Sequence, residues 1–241
     1  PVKQDKWLHT PNNIFIENIV EISAETKTLE DLMSFKDAGI NYQRVKVGLA
    51  QKGKSDLSKR LLYEGEKESP EHIEYWKGTD INEYYKSPFT GRYCRPNIDL
   101  ADNERVILNA DYFSIAPKLI WRQTAPYPIC VVDYDGVWFG RSIQAGIIKP
   151  AFASIISYEY LCALLNSKYL RFLYEQNVKE GGRVFPQVKL EKLKPLPIVI
   201  PTIKQKKEIE GIVSEMMVQK MNCNEKAFEE MKSRIDNIVC A

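Results

Sequence analysis

The stretch APKLIWRQTAPYPICVVDYDGVWFGRS, residues 116–142, decides how this chain is read. It opens as a basic, polar strand that ends at Arg122 and Gln123. Further on, Asp135-Gly136 separates the apolar runs ICVVDY and VWFG. An Asp-Gly pair readily takes the positive φ angles of a two-residue turn, so a β-hairpin is predicted there. Downstream, apolar residues at 161, 164, 165, 169, 172 and 173 fall at helical spacing over 157–176. Ser157 is the expected N-cap, and Glu159 suits the positive end of the helix dipole. Gly181-Gly182 then marks a turn, and Phe185-Pro186-Gln187 is expected to fix a second turn against the Leu164/Leu165 helix.

Past Pro201 the character of the sequence changes. Thr202 and Gln205 form a capping-box pair, and a helix is expected to run to about Val239. Met217, Met221, Asn224, Phe228, Met231, Ile235 and Ile238 alternate spacings of four and three, as a coiled-coil seam does. Ile209, Val213 and Met216 sit on a different phase, and Gly211 weakens the helix by up to about 1 kcal/mol. The helix is therefore either a dimerising or docking element or an amphipathic helix lying on its own domain.

Upstream the signals are shorter. Residues 14–23 (IFIENIVEIS) and 40–50 (INYQRVKVGLA) read as strands, and QKGKSDLSK (51–59) as a loop. Thr28 opens a helical pattern, LEDLMSFKDA, that Gly39 ends in the C-cap manner. The aromatic segment 82–96 is broken by Pro and Gly into turns.

Composition narrows the function. With 241 residues, 44% hydrophobic and 27% charged, the chain is an ordinary globular one. It has no run of about 18 apolar residues and no signal-peptide pattern at its start. Its five Cys (94, 130, 162, 223, 240) form no C-x-x-C pair, and only His9 and His72 join them, so neither a disulfide framework nor a zinc site is indicated. Reduced, buried thiols are expected. The net charge of +2 is small, but Arg44, Lys46, Lys52, Lys54, Lys59 and Arg60 face only Asp56 across residues 44–60. Residues 64–83 reverse this, with seven carboxylates against Lys67 and Lys77. A local basic face is thus favoured over a whole-molecule field, with the acidic stretch turned away from any polyanion.

Catalytic patterns are missing. No glycine-rich nucleotide loop, nucleophile elbow, H-E-x-x-H or Asn/Asp-Pro-Pro-Tyr/Phe motif occurs. Asp133 and Asp135 flank a turn and are read as turn-forming residues rather than a metal pair. No catalytic residue, metal or cofactor is assigned to this chain.

Several ordered fragments carry a family resemblance: PKLIWRQT (117–124), the Asp135-Gly136 turn with Ser142 beyond it, LCALLNSKYLRFLYEQ (161–176) and GRVFPQVKLEKLKPLPI (182–198). In this order they resemble the C-terminal specificity domain of TaqI-like methyltransferases and type IIG restriction-modification enzymes. LPIVIP (196–201) followed by KQKKEIEGIV is similar to the end of a type I specificity-subunit recognition domain. GINYQRVKVG (39–48) and YWKGTDINEYY (75–85) are similar to the segment that opens such a region, so the likeness covers about 36–215.

The resemblance implies an α+β fold, a twisted mixed or antiparallel sheet with packed helices, followed by a long C-terminal helix. It divides the chain into a target-recognition domain at 1–201, with 1–35 leading in from an upstream domain, and a spacer or dimerisation helix at 202–241. The implied function is sequence-specific binding of double-stranded DNA in the cytoplasm. An N6-adenine methyltransferase domain of the same parent chain, which would hold S-adenosylmethionine and accept the flipped base, is the implied partner. Homodimerisation through 203–239 is a further implication. Base contacts suit Arg122, Gln123, Arg141, Ser142 and Gln144. Phosphate contacts suit Lys52, Lys54, Lys59 and Lys118, while Lys179 and Arg183 flank a backbone-hugging loop. Trp121 and Trp138 are read as core residues. The rival reading is a protein-interaction module that uses the 203–239 helix.

Overall fold

The computed structural model describes residues 26–36, 39–44, 54–178, 186–221 and 224–240. In chain order its strands are β1 (Thr26–Thr28), β2 (Met33–Lys36), β3 (Asn41–Arg44), β4 (Leu62–Glu64), β5 (Ile73–Trp76), β6 (Arg92–Cys94), β7 (Glu104–Ile107), β8 (Lys118–Arg122), β9 (Cys130–Asp133), β10 (Trp138–Phe139), β11 (Ile143–Ile148) and β12 (Pro197–Val199). The helices are α1 (Leu29–Leu32), α2 (Lys54–Leu61), α3 (Ala110–Phe113), α4 (Tyr158–Asn166), α5 (Lys168–Asn177), α6 (Leu190–Leu193), α7 (Ile203–Met221) and α8 (Glu225–Cys240). The α+β class expected from the sequence is the one observed.

A four-stranded antiparallel sheet, ordered β2-β11-β8-β9, forms the centre. Its pleat sends alternate residues to opposite faces. Leu119, Trp121, Cys130 and Val132 join Leu161, Leu165, Val213, Met216, Phe228 and Ile235 in a core between sheet and helices. Ile120, Val131, Ile143 and Ala145 turn the other way, onto Leu61, Tyr75, Phe113 and Phe139. That second core lies beneath a smaller sheet ordered β10-β5-β6-β4. Two-stranded pairs, β3-β7 and β1-β12, complete the fold. Both faces of β8 and β9 are covered, which is why their residues are buried almost without a break.

Several local expectations hold at the caps and fail beyond them. Thr28 caps α1 with a complete capping box, but the helix stops after one turn. The chain continues as β2 because pairing with β11 places Met33 and Phe35 on the helix-facing core. Gly39 therefore ends no helix; a Cβ there would stand 2.5 Å from the Gly140 carbonyl oxygen, so close backbone approach demands glycine. The second half of the expected QKGKSDLSK loop begins α2, which packs Leu57 and Leu61 inward.

Asp135-Gly136 does make a turn, with Gly136 at φ +70°. The expected hairpin does not follow. β9 pairs with β8, whereas β10 crosses to the smaller sheet and runs parallel to β5. The Asp133 carboxylate accepts the Asp135 and Val137 N–H groups at 3.2 and 3.0 Å, satisfying the turn without a cross-strand ladder.

The helix expected over 157–176 is two helices. Ser157 caps α4 as expected. Ser167, extended at ψ 151°, ends α4 and caps α5 by accepting the Leu170 N–H. Beyond Pro201 the Thr202–Gln205 capping box is formed, yet the single long helix is replaced by α7 and α8. Their contacts, with Arg234 near Glu208 and Lys220 near Glu225, make them antiparallel. The seam residues Phe228, Met231 and Ile235 are at most 7% exposed and belong to the chain's own core. That part of the seam therefore packs within the chain. The strand expected at 14–23, the end of the 40–50 strand and the Gly181-Gly182 turn lie outside the described residues.

Candidate nucleic-acid interface

Five segments converge at the end of the central sheet where β8 leaves and β11 enters. Arg122 is the register partner of Ile143, and the Gln123 N–H donates to the Ser142 carbonyl at 2.8 Å. Ser142 Oγ accepts the Gly78 N–H at 2.8 Å. A Cβ at Gly78 would stand 2.6 Å from the Ser142 carbonyl oxygen, so the approach requires glycine. The Gly140 N–H donates to Trp76 O at 2.9 Å, the Ile40 N–H to Phe139 O at 2.8 Å, and the Val188 N–H to Gln123 O at 2.7 Å. Every one of these bonds is a main-chain or short side-chain tether, so the platform is rigid. Arg141, Thr124 and Gln187 are exposed on it, and Gln123 is half-exposed.

The site residues read from the sequence distribute unevenly. Gln123, Arg141 and Ser142 do gather here. Arg122 gathers with them, but its guanidinium is engaged: it donates to the Ile81 carbonyl, to Asn82 Oδ1 at 3.1 Å and to Thr79 O at 3.4 Å. It braces the turn at 79–82 rather than reaching outward. Ser142 is likewise a tether. Gln144 is 4% exposed and accepts the Trp121 indole N–H at 3.0 Å, which points it into the core.

Lys118 departs furthest from expectation. It is completely buried, with Nζ 2.7 Å from Phe113 O, 2.9 Å from Ile115 O and 2.6 Å from Asp133 Oδ2. All three ammonium donors are used, so it holds the β8–β9 edge together and meets no phosphate. Lys86 adds a second cation 3.0 Å from Asp133. Burial would raise the Asp133 carboxyl, but Lys86 and Lys118 outweigh it and hold the group below its ordinary value. Lys59 is exposed on α2, beside the β3-β7 pair rather than on the platform. Lys54 begins α2, but its side chain lies outside the described residues, as do Lys52, Lys179 and Arg183.

The acidic stretch is structural. Glu64 pairs with Lys77 at 2.6 Å and Arg92 at 3.6 Å, Glu68 with Arg95 at 2.7 Å, and Glu83 with Lys232 at 2.7 Å. Asp80 binds Arg92. The aromatics also support rather than reach out. Trp121 is buried edge-on to Phe35, Trp138 lies 4.8 Å from Phe113, and Arg171 covers Tyr127 at 3.5 Å. Cys94, Cys130 and Cys162 are buried free thiols. Among the described residues no group of His, Cys, Asp and Glu is placed to hold a metal ion.

Comparison with known proteins gives one family and several distant folds. The family described as TaqI-like C-terminal specificity domain matches residues 73–198, just over half of the chain. A solved chain from a study of complex assembly and conformational transition in the type I R-M system is 12% identical, with 92% of this chain and 46% of that one covered and a TM-score of 0.46. The HsdS subunit from Thermoanaerobacter tengcongensis is 13% identical, with 92% and 45% covered and a TM-score of 0.45. The type I restriction-modification S subunit from M. genitalium is 18% identical, with 90% and 45% covered and a TM-score of 0.40. This chain thus spans a little under half the length of those it matches. No curated protein matches it.

Proposed function

Because the chain belongs to the TaqI-like C-terminal specificity domain family, we propose that it reads a short double-stranded DNA sequence for a restriction-modification adenine methyltransferase. The observation that carries this reading is the extent of the match. Residues 73–198 run from β5 into β12 and so contain the platform on which Gln123 and Arg141 stand, apart from the tether at Ile40. A rigid backbone platform with an exposed guanidinium and a half-exposed carboxamide has the parts that base readout needs. Arginine grips guanine and glutamine grips adenine through two hydrogen bonds each in the major groove.

The transfer chemistry belongs to a methyltransferase domain in other residues of a type IIG-like parent, and S-adenosylmethionine would be held there. The working place of such a protein is the cytoplasm, where the duplex is; no helix among the described residues is long and apolar enough to cross a membrane. Against the rival reading, a partner-binding module built on 203–239, stands the packing of Phe228, Met231 and Ile235 of its seam into the chain's own core.

Selection from a pool of random duplexes tests the proposal. The chain is expected to enrich one short motif, with affinity that falls as salt rises. Arg141→Ala and Gln123→Ala should each cost about 1–3 kcal/mol on that motif and relax preference at one position. Absence of salt-dependent affinity for any duplex would overturn it.

A further inference from the structure

We infer that Lys36 and Lys194 hold the phosphate backbone of the same duplex whose bases Gln123 and Arg141 read, an assignment that rests on the DNA-reading function proposed above. Sequence spacing singles out neither lysine; the sheet brings them together. Lys36 ends the edge strand β2 and pairs with Ala145, which pairs in turn with Ile120, three residues before Gln123. Two strand spacings of about 4.8 Å and three rises of about 3.4 Å put Lys36 about 14 Å from Gln123 between α-carbons. That span is comparable with a major groove about 12 Å wide, so a group reading bases and a cation at the groove wall can act together.

Lys194 reaches the same edge from the helical side. Its Nζ lies 5.8 Å from the Phe35 ring, and Phe35 packs 6.0 Å from Trp121, the second residue before Gln123. Its main chain is fixed, because Lys194 O accepts the Glu30 N–H at 3.0 Å. Lys36 points to the other face, with Nζ 4.8 Å from the Tyr112 ring. The two cations therefore flank one sheet edge, each ammonium standing over an aromatic ring. Such support lowers the entropy lost when a long side chain is held against a phosphate.

Ion pairing separates these lysines from several others. Lys77, Lys86, Lys220 and Lys232 are each committed to a carboxylate. Among the described residues neither Lys36 nor Lys194 is, so no carboxylate in that set competes with a phosphate for either ammonium. The plain alternative is that Lys36 only guards an exposed strand edge against pairing with another chain. That role requires no salt-dependent contact with DNA.

The test uses the full chain and the duplex selected by it. Lys36→Gln and Lys194→Gln keep a polar side chain at each position and remove the charge. Each should lower the slope of log affinity against log salt by about 0.9, so that the loss between 50 and 200 mM salt shrinks about 3.5-fold. Weakening should be equal on matched and mismatched duplexes, leaving the selected motif unchanged. Lys226→Gln, on α8 with a side chain 88% exposed, is the control and should leave the slope as it was. Unchanged slopes in both variants, or an equal change in the control, would overturn the assignment while leaving DNA reading intact. A wild-type chain without salt-dependent duplex binding would overturn both.

Discussion

At the residue scale, Lys118 and Asp133 show how far a side chain's role is from its type. In sequence Lys118 opens a polar strand and reads as a phosphate contact. In the fold it is a fully buried cation satisfied by two carbonyls and a carboxylate. Nothing near it in sequence signals this, because Asp133 arrives only on the next strand. Removing one partner of a buried pair strands the other, so Lys118→Met should destabilise the chain by about 3–5 kcal/mol in urea unfolding. A loss under about 1 kcal/mol would show the pair to be dispensable. The pH dependence follows from Asp133, whose carboxyl is held low by Lys86 and Lys118. A depressed carboxyl contributes stability that is complete above the unfolded value of about 3.9 and is lost as pH falls through the lower folded value. Thermal unfolding should therefore show a loss below about pH 4 that Asp133→Asn lacks.

At the element scale, the caps were legible and the partners were not. Thr28, Ser157 and Thr202 form the caps that their sequences indicate, because capping is a contact over two or three residues. How long each element then runs depends on tertiary pairing. α1 yields to β2 after one turn, and β10 leaves its neighbour for β5, more than 60 residues earlier in the chain. Ser167 was hidden inside a continuous helical pattern, although its hydroxyl both accepts from Leu170 N and donates to Leu164 O at 2.6 Å. Ser167→Ala should cost about 0.5–2 kcal/mol. Chemical denaturation would read it, and a neutral result would mean that packing alone sets the break between α4 and α5. The platform was half legible for the same reason: Gln123 and Arg141 lie beside strand signals, whereas Lys36 and Lys194 reach it only through pairing and packing.

At the scale of the whole molecule, the central sheet is sealed on one side by the smaller sheet and on the other by helices that include α7 and α8. Ile209, Val213, Met216, Phe228 and Ile235 share one core with Leu119 and Trp121. Cutting the chain after Pro201 should therefore expose an apolar face and abolish cooperative unfolding, with dye binding to the exposed surface. A truncated chain that still melts sharply would show the helices to be an appendage. Ile235→Ala should cost about 2–5 kcal/mol without altering the hydrodynamic mass.

The β1-β12 pair carries a mechanical consequence. Thr26 stands opposite Val199 and Thr28 opposite Pro197, so the outward-leading ends of both strands lie at the same side. Tension applied between residues before Thr26 and residues after Val199 would load that pair as a zipper, one hydrogen bond at a time. The four-stranded sheet behind it, with β8 and β11 paired from Leu119 to Arg122 and from Ile143 to Gly146, would not feel the load until the zipper had opened. The chain thus has a soft first yield point built ahead of a stiff core.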